Sequence, residues 1–265
     1  MGRSAIADLI RPSSIMLTTF LAIVVALVIF VTTRHAQLIR KRRVMRWPEP
    51  GVAATPAQRP DVYYLFVLGS GGHTKEMLMM MDDGFCDFAG FHRRYLLSSG
   101  DRVSRHQLED YEARLANLCR ATGTSPGTYD VRTVARARRV HQSLLTTPLT
   151  FLASVIGIFT VLLSSPVSVK GRRHPTLVFS NGPATGFCVA FAIHLLKIFH
   201  IVPEDVMRFV YIESWARIST LSLTGRLLLQ SSFADTLYVQ HQDVADKYGL
   251  PCAGEMVLSS RRPDK

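Results

Sequence analysis

The chain has 265 residues, of which 48% are hydrophobic, and a formal net charge of +11. With an N-terminal apolar segment set aside, roughly 220 residues remain, room for one well-buried domain and too little for two. The charge suits an anionic partner such as a membrane face or a phosphorylated substrate, and no aromatic-interleaved basic motif points to nucleic acid.

Ile15 to Val31 is apolar apart from Thr18 and Thr19, and Thr32-Thr33 brings the run to the length of a bilayer span. It is long for a signal peptide, and arginines follow it instead of a small-residue cleavage site, so residues 1–34 read as an uncleaved signal anchor. Arg34, Arg40, Lys41, Arg42, Arg43 and Arg46 follow the span, whereas only Arg3 and Arg11 precede it. The positive-inside rule then puts the N-terminus in the lumen and the bulk of the chain in the cytosol. Residues 35–60 read as a basic linker, punctuated by prolines from Pro48 to Pro60. Cys86, Cys119, Cys188 and Cys252 form no CxxC pair, which argues against a disulfide framework or a zinc site and agrees with a reducing compartment.

From Asp61 onward, strand and helix patterns alternate. Val62–Leu68 reads as a strand, His73–Met81 as a helix, Arg94–Ser98 as a second strand and Ser104–Cys119 as a helix. Leu108, Tyr111, Leu115 and Leu118 line one face of that second helix. Thr128–Val134 follows as a short strand, then Thr176–Ser180 with an apolar helix over Phe187–Phe199. Arg208–Glu213 is the next strand, followed by a helix ending near Gln230 and a last strand over Thr236–Gln240. Such alternation predicts an α/β fold, a Rossmann-like parallel sheet spanning residues 61–265.

Leu144–Leu163 is twenty residues without a charge. A membrane crossing there would separate two glycine loops, at Gly69 and Gly182, that belong at one end of one sheet. Residues 144–169 are therefore expected as an interfacial helix, dipping into the cytosolic leaflet or packed partly on the domain. Arg136, Arg138, Arg139, Lys170, Arg172 and Arg173 would meet lipid headgroups. Burial as an ordinary core helix is the alternative.

Three loops at strand ends carry the chemistry. Gly69-Ser70-Gly71-Gly72-His73-Thr74 joins the first strand to its helix, where glycine backbone and a helix N-terminus favour an anion. It is no dinucleotide fingerprint, since Thr74 stands where the third glycine belongs; Asp101 lies too far on for the ribose carboxylate, and Lys75 lacks the P-loop context. His73 could take a proton from a hydroxyl or donate to a phosphate, or simply cap its own helix. The Asn181-Gly182-Pro183-Ala184-Thr185-Gly186 loop is either a second site loop or plain turn chemistry. In Glu213-Ser214-Trp215-Ala216-Arg217, Glu213 could bind a sugar hydroxyl and Arg217 a phosphate; alternatively Ser214 caps the next helix and Glu213 pairs with Arg217. Parallel α/β sheets place ligands at this end.

These motifs together resemble one family. The anchor, Gly69-Ser70-Gly71-Gly72-His73-Thr74-Lys75-Glu76-Met77, Ser98-Ser99-Gly100-Asp101, Arg138-Arg139-Val140-His141-Gln142-Ser143, Asn181–Gly186 and Tyr211–Arg217 are similar to the membrane-anchoring subunit of the UDP-N-acetylglucosamine transferase of asparagine-linked glycosylation. The resemblance implies the acceptor-side half of a split GT-B glycosyltransferase, inactive alone. A separate cytosolic subunit would bind UDP-N-acetylglucosamine, forming a heterodimer at the endoplasmic reticulum membrane or nuclear envelope. The implied acceptor is N-acetylglucosaminyl-diphosphodolichol; no cofactor is expected, and no metal ligand is among the candidate site residues. It also implies His73 as base toward the acceptor hydroxyl. Gly69, Ser70, Gly71, Gly72, Thr74, Asn181, Gly182, Thr185 and Gly186 would meet the acceptor diphosphate, with Glu213, Ser214 and Arg217 in the cleft between halves. The C-terminus departs from the family pattern: His241-Gln242-Asp243 leads to a polar tail, Ser259–Lys265, in place of a Trp-Pro continuation and an apolar strand. Two other readings compete: a non-catalytic membrane adaptor that only recruits a cytosolic partner, and a nucleotide-dependent oxidoreductase, disfavoured by the failed fingerprint.

Overall fold

The computed structural model describes residues 4–44, 62–82, 87–137, 147–166, 173–182, 184–254 and 256, with side chains of the first segment placed from Ile15 to Arg42. It divides into an N-terminal unit, Met1–Pro48, and a second unit, Glu49–Lys265.

Within the first unit, helix α1 runs over Ser4–Val44. Its stretch Ile15–Arg42 is the one helix among the described residues long and apolar enough to cross a membrane. The threonines that interrupt the apolar run are satisfied inside the helix. Thr18 and Thr19 donate to the Ile15 carbonyl at 2.9 and 2.8 Å, and Thr32 donates to Val28 at 2.7 Å. A hydroxyl without such a partner would be costly in hydrocarbon. The helix continues through His35–Val44, the first part of the expected linker, because no proline or glycine interrupts it there and basic side chains suit a helix C-terminus. The proline stretch from 48 to 60 lies outside the described residues.

The second unit holds a six-stranded parallel sheet in the order β3-β2-β1-β4-β5-β6. In chain order its elements are β1 (Val62–Val67), α2 (Gly72–Met81), β2 (Phe91–Ser98), α3 (Arg102–Thr122), β3 (Thr128–Val134), α4 (Thr147–Leu163), β4 (Leu177–Ser180), α5 (Thr185–Ile198), β5 (Arg208–Ile212), α6 (Leu223–Ser231), β6 (Thr236–Tyr238) and α7 (Gln242–Tyr248). Two cores cover the two faces. Leu65, Val67, Leu96 and Val178 pack with α4, α5, α6 and α7, while Phe66, Leu68, Tyr95 and Leu97 pack with α2 and α3. Successive strand residues alternate between those cores, as the pleat requires.

Strand β2 starts three residues before the expected Arg94. His92-Arg93-Arg94 does not read as core, yet all three side chains are buried because each finds a partner. Arg93 donates twice to Glu112 of α3, at 2.9 and 2.8 Å, and lies over the Phe88 and Phe91 rings. Arg94 donates to Asp130 of β3 and to the Val161 and Ser164 carbonyls at the end of α4. Burial alone would raise the Asp130 carboxyl; the His92 and Arg94 hydrogen bonds outweigh it and hold the group well below the usual carboxylate range.

The middle of the expected interfacial segment is α4. Ser154, Val155, Ile158, Val161 and Leu162 face the core, whereas Leu149, Leu152 and Ile156 are exposed. Residues 144–146 and 167–169, together with Arg138, Arg139, Lys170 and Arg172, lie outside the described residues, as does the whole Arg138–Ser143 block. Asp101 is the N-cap of α3, accepting from the Ser104 amide at 3.0 Å. Helix α7 was not apparent from sequence, being seven residues long with only Val244 and Ala245 buried. The polar tail, Ser259–Lys265, lies outside the described residues.

Candidate functional site

The chain order reverses direction between β1 and β4, the position at which doubly wound sheets open a crevice at their carboxyl ends. Val67 pairs with Ser180, and two residues further on Gly69 meets Gly182. These glycines touch backbone to backbone. A Cβ on Gly182 would lie 2.8 Å from the Gly69 Cα, and one on Gly69 would lie 2.7 Å from the His73 Cβ. No side chain fits at either position, so the two loops close tightly beneath the crevice. Gly71, with φ +53°, makes the turn into α2.

The remaining loop contacts separate residues that face the crevice from residues that hold it. Thr74 is buried, with its hydroxyl oxygen within hydrogen-bond reach of the Gly69 carbonyl and of Ser104 Oγ, so it fastens the loop from behind. Ser104 Oγ also donates to Gly69 O at 3.0 Å and accepts from the Gly71 amide at 3.1 Å. Thr185 is buried against Ser98, 3.1 Å away, and Gly186 packs on Ser180. Asn181 donates to the His73 carbonyl at 2.9 Å, and its own Oδ1 is buried without a hydrogen bond. Ser70 and Gly72 are exposed at the crevice mouth, and the His73 side chain is 31% exposed. Pro183 lies outside the described residues.

Glu213 is 1% exposed, and its carboxylate accepts from the Ser214 amide and from the amide and hydroxyl of Ser222, at 3.0 to 3.1 Å. It closes its own loop and does not reach the crevice. Helix α6 is capped by Ser222, which accepts from the Gly225 amide, so the cap is not Ser214. Arg217 is exposed, and no ion pair joins it to Glu213 among the described residues. The Tyr211 phenol is held well above its ordinary value by burial and by the Glu213 charge. Burial likewise pushes the Cys188 thiol up to about 12, leaving it unreactive near neutral pH.

An open cleft of about 470 Å³ lies in front of His73, lined by Gly72, His73, Lys75, Glu76, Met79, Ser214, Trp215 and Ala216. Residues not anticipated as site residues shape it. Glu76 accepts from the Trp215 amide at 2.6 Å, Ser214 Oγ at 2.9 Å and Gln240 Nε2 at 2.9 Å. Trp215 is steadied on its other side by His241, whose Nε2 lies 2.6 Å from the Trp215 carbonyl. The i,i+3 spacing of His73 and Glu76 was visible in sequence and places both on one face of α2. Gln240 gave no comparable signal. Among the described residues, no group of three or more His, Cys, Asp and Glu comes together. The arrangement offers one imidazole, one lysine and a helix N-terminus around a solvent-open space, which suits a proton transfer beside an anionic group.

The family described as "Oligosaccharide biosynthesis protein Alg14 like" matches residues 64–252, which takes in the sheet and all three loops. The UDP-N-acetylglucosamine transferase subunit alg14 of Schizosaccharomyces pombe is 30% identical over 230 residues, 87% of this chain and 92% of the relative. The corresponding subunit of Aspergillus fumigatus is 34% identical over 197 residues, 59% and 86% of the two chains. That of mouse is 32% identical over 190 residues, 72% and 80%. No solved structure matches the chain significantly.

Proposed function

The chain belongs to the Alg14-like family of oligosaccharide biosynthesis proteins, and on that premise we propose that it is the membrane-anchored, acceptor-side subunit of a UDP-N-acetylglucosamine transferase. The observation that carries this is the family match over 64–252, which contains a single Rossmann-like sheet with His73 at its open crevice. A GT-B transferase has two such domains, and the relatives' name as transferase subunits supports a partner for the second, a cytosolic subunit that supplies UDP-N-acetylglucosamine. The acceptor is N-acetylglucosaminyl-diphosphodolichol. Its diphosphate lies against the N-terminus of α2 and the Ser70–Gly72 backbone, above the Gly182 loop, with Lys75 as the cation lining the cleft. The buried Thr74, Asn181, Thr185, Gly186, Glu213 and Ser214 support those loops from within.

In the transfer step the acceptor hydroxyl oxygen bonds to the anomeric carbon of the donor sugar as the bond to UDP breaks. His73 takes the hydroxyl proton, and the UDP diphosphate leaves with the bonding pair. Helix α1 holds the domain on the cytosolic face of the endoplasmic reticulum with its N-terminus lumenal, following the basic flank after the span.

The test is sugar transfer from UDP-N-acetylglucosamine to a short lipid-diphosphate N-acetylglucosamine. Membranes carrying the chain are assayed alone, with the cytosolic subunit, and as His73→Ala with that subunit. Activity is expected only in the pair, falling by about 100-fold or more in His73→Ala at equal partner recruitment. Undiminished activity in His73→Ala would leave the chain as an adaptor with the chemistry elsewhere.

A further inference from the structure

We propose that Glu76 is a positioning residue for His73, orienting its imidazole and stabilising the cation formed when it accepts the acceptor proton. The inference rests on the assignment of His73 as base. The two side chains lie one helical turn apart on the same face of α2. His73 Nδ1 is buried and makes no hydrogen bond, and Glu76 Oε2 lies 3.8 Å from it. The backbone beneath the ring is held by Asn181, which donates to the His73 carbonyl.

The carboxylate is itself fixed in place. It accepts from the Trp215 amide, Ser214 Oγ and Gln240 Nε2, donors that follow β5 and β6, two strands and more away from its own helix. An ionised carboxylate has about four acceptor positions. Three are filled by these donors, and His73 Nδ1 is the buried nitrogen beside the fourth. A brace between α2 and the β5 and β6 loops would account for the three bonds alone; it leaves the unpaired Nδ1 unexplained.

A shortening of the 3.8 Å separation on substrate binding completes the arrangement, since catalytic contacts are commonly long in unliganded sites. Nδ1–H then points at Glu76, and Nε2 carries the lone pair that receives the hydroxyl proton. The adjacent negative charge stabilises the resulting imidazolium, the role a carboxylate plays beside histidine in other proton-transfer sites. Glutamine at this position keeps the shape but carries no charge.

The test uses membranes holding the complete two-subunit enzyme as wild type, His73→Ala, Glu76→Gln and the double variant. Transfer rates are measured at saturating and limiting acceptor, alongside partner retention and thermal inactivation. Glu76→Gln should lower kcat by about 10- to 100-fold with the acceptor KM within about twofold. The double variant should be no slower than His73→Ala, because residues acting as a unit are lost together. Wild-type kcat in Glu76→Gln, multiplying losses in the double variant, or a loss explained by faster thermal inactivation would each overturn the proposal. A His73→Ala enzyme as fast as wild type would instead remove the base assignment, and that arm reports it separately. Should Glu76→Gln fail to fold, nitrogen NMR of histidine-labelled wild-type enzyme decides the matter. The His73 signals, assigned by their loss in His73→Ala, should report a protonated Nδ1 in the neutral ring; protonation at Nε2 overturns the proposal.

Discussion

Arg93 and Arg94 are neighbours in β2, and both are fully buried, each on its own carboxylate on opposite faces of the sheet. Burying a guanidinium is tolerable only when its partner is fixed, and removing one partner exposes the whole desolvation cost. Asp130→Asn should therefore destabilise the domain by about 2–3 kcal/mol, since Arg94 keeps its bonds to the end of α4 but loses its counter-charge. The Asp130 carboxyl is held low in the folded state, so its contribution is complete above the ordinary carboxylate pKa near ~3.9 and is lost as pH falls below it. Urea melts of the detergent-solubilised chain between neutral pH and pH 3 measure this; an Asp130→Asn slope identical to wild type would refute it. At the crevice, Gly182→Ala forces its Cβ onto the Gly69 backbone, which cannot yield as a side chain can. A loss of about 1–3 kcal/mol and of transferase activity is expected, and a variant with unchanged melting and rate would refute the close approach. The glycine loops were legible in the sequence because backbone demands of this kind are local. The buried arginines were not, because their partners Glu112 and Asp130 lie 19 and 36 residues away.

At the scale of elements, α4 is decided by two opposed faces. One is packed on the core and held at its end by Arg94; the other exposes Leu149, Leu152 and Ile156, with the Thr160 hydroxyl bonded back to the Gly157 carbonyl. Every face of this helix is apolar, so periodicity could not separate a span from a core helix or an interfacial one. Tertiary contacts supply one face, and we propose that the other meets the cytosolic leaflet. A protease-cleavable tag inserted after Arg173 is expected to be cut from the cytosolic side of sealed microsomes. Protection there until the membrane is opened would mean that α4 crosses, which would in turn separate the Gly69 and Gly182 loops. The strands and long amphipathic helices were readable within a few residues from their hydrophobic spacing. The early start of β2 was concealed by charge, and α7 by its brevity.

At the scale of the molecule, one parallel sheet with its crevice at the β1–β4 reversal would supply one of the two domains of the proposed two-subunit transferase. The cleft in front of His73 is open to solvent. Transfer by the chain alone is therefore expected to be at background, and full activity without any partner would contradict the half-enzyme account. The sequence by itself determined what depends on neighbours along the chain: an apolar segment of membrane length, alternating strand and helix periods, and glycine-rich turns where strands end. These are set by side-chain spacing and backbone freedom, which a linear reading can see. Only the tertiary structure decided which residues face the crevice and which merely support it. Glu213 turned inward onto Ser222, Thr74 onto Gly69, and Glu76 reached across to Trp215 and Gln240. Those roles depend on strand order and on which buried donor finds which acceptor, and contacts spanning up to 164 residues leave no periodic trace in the chain.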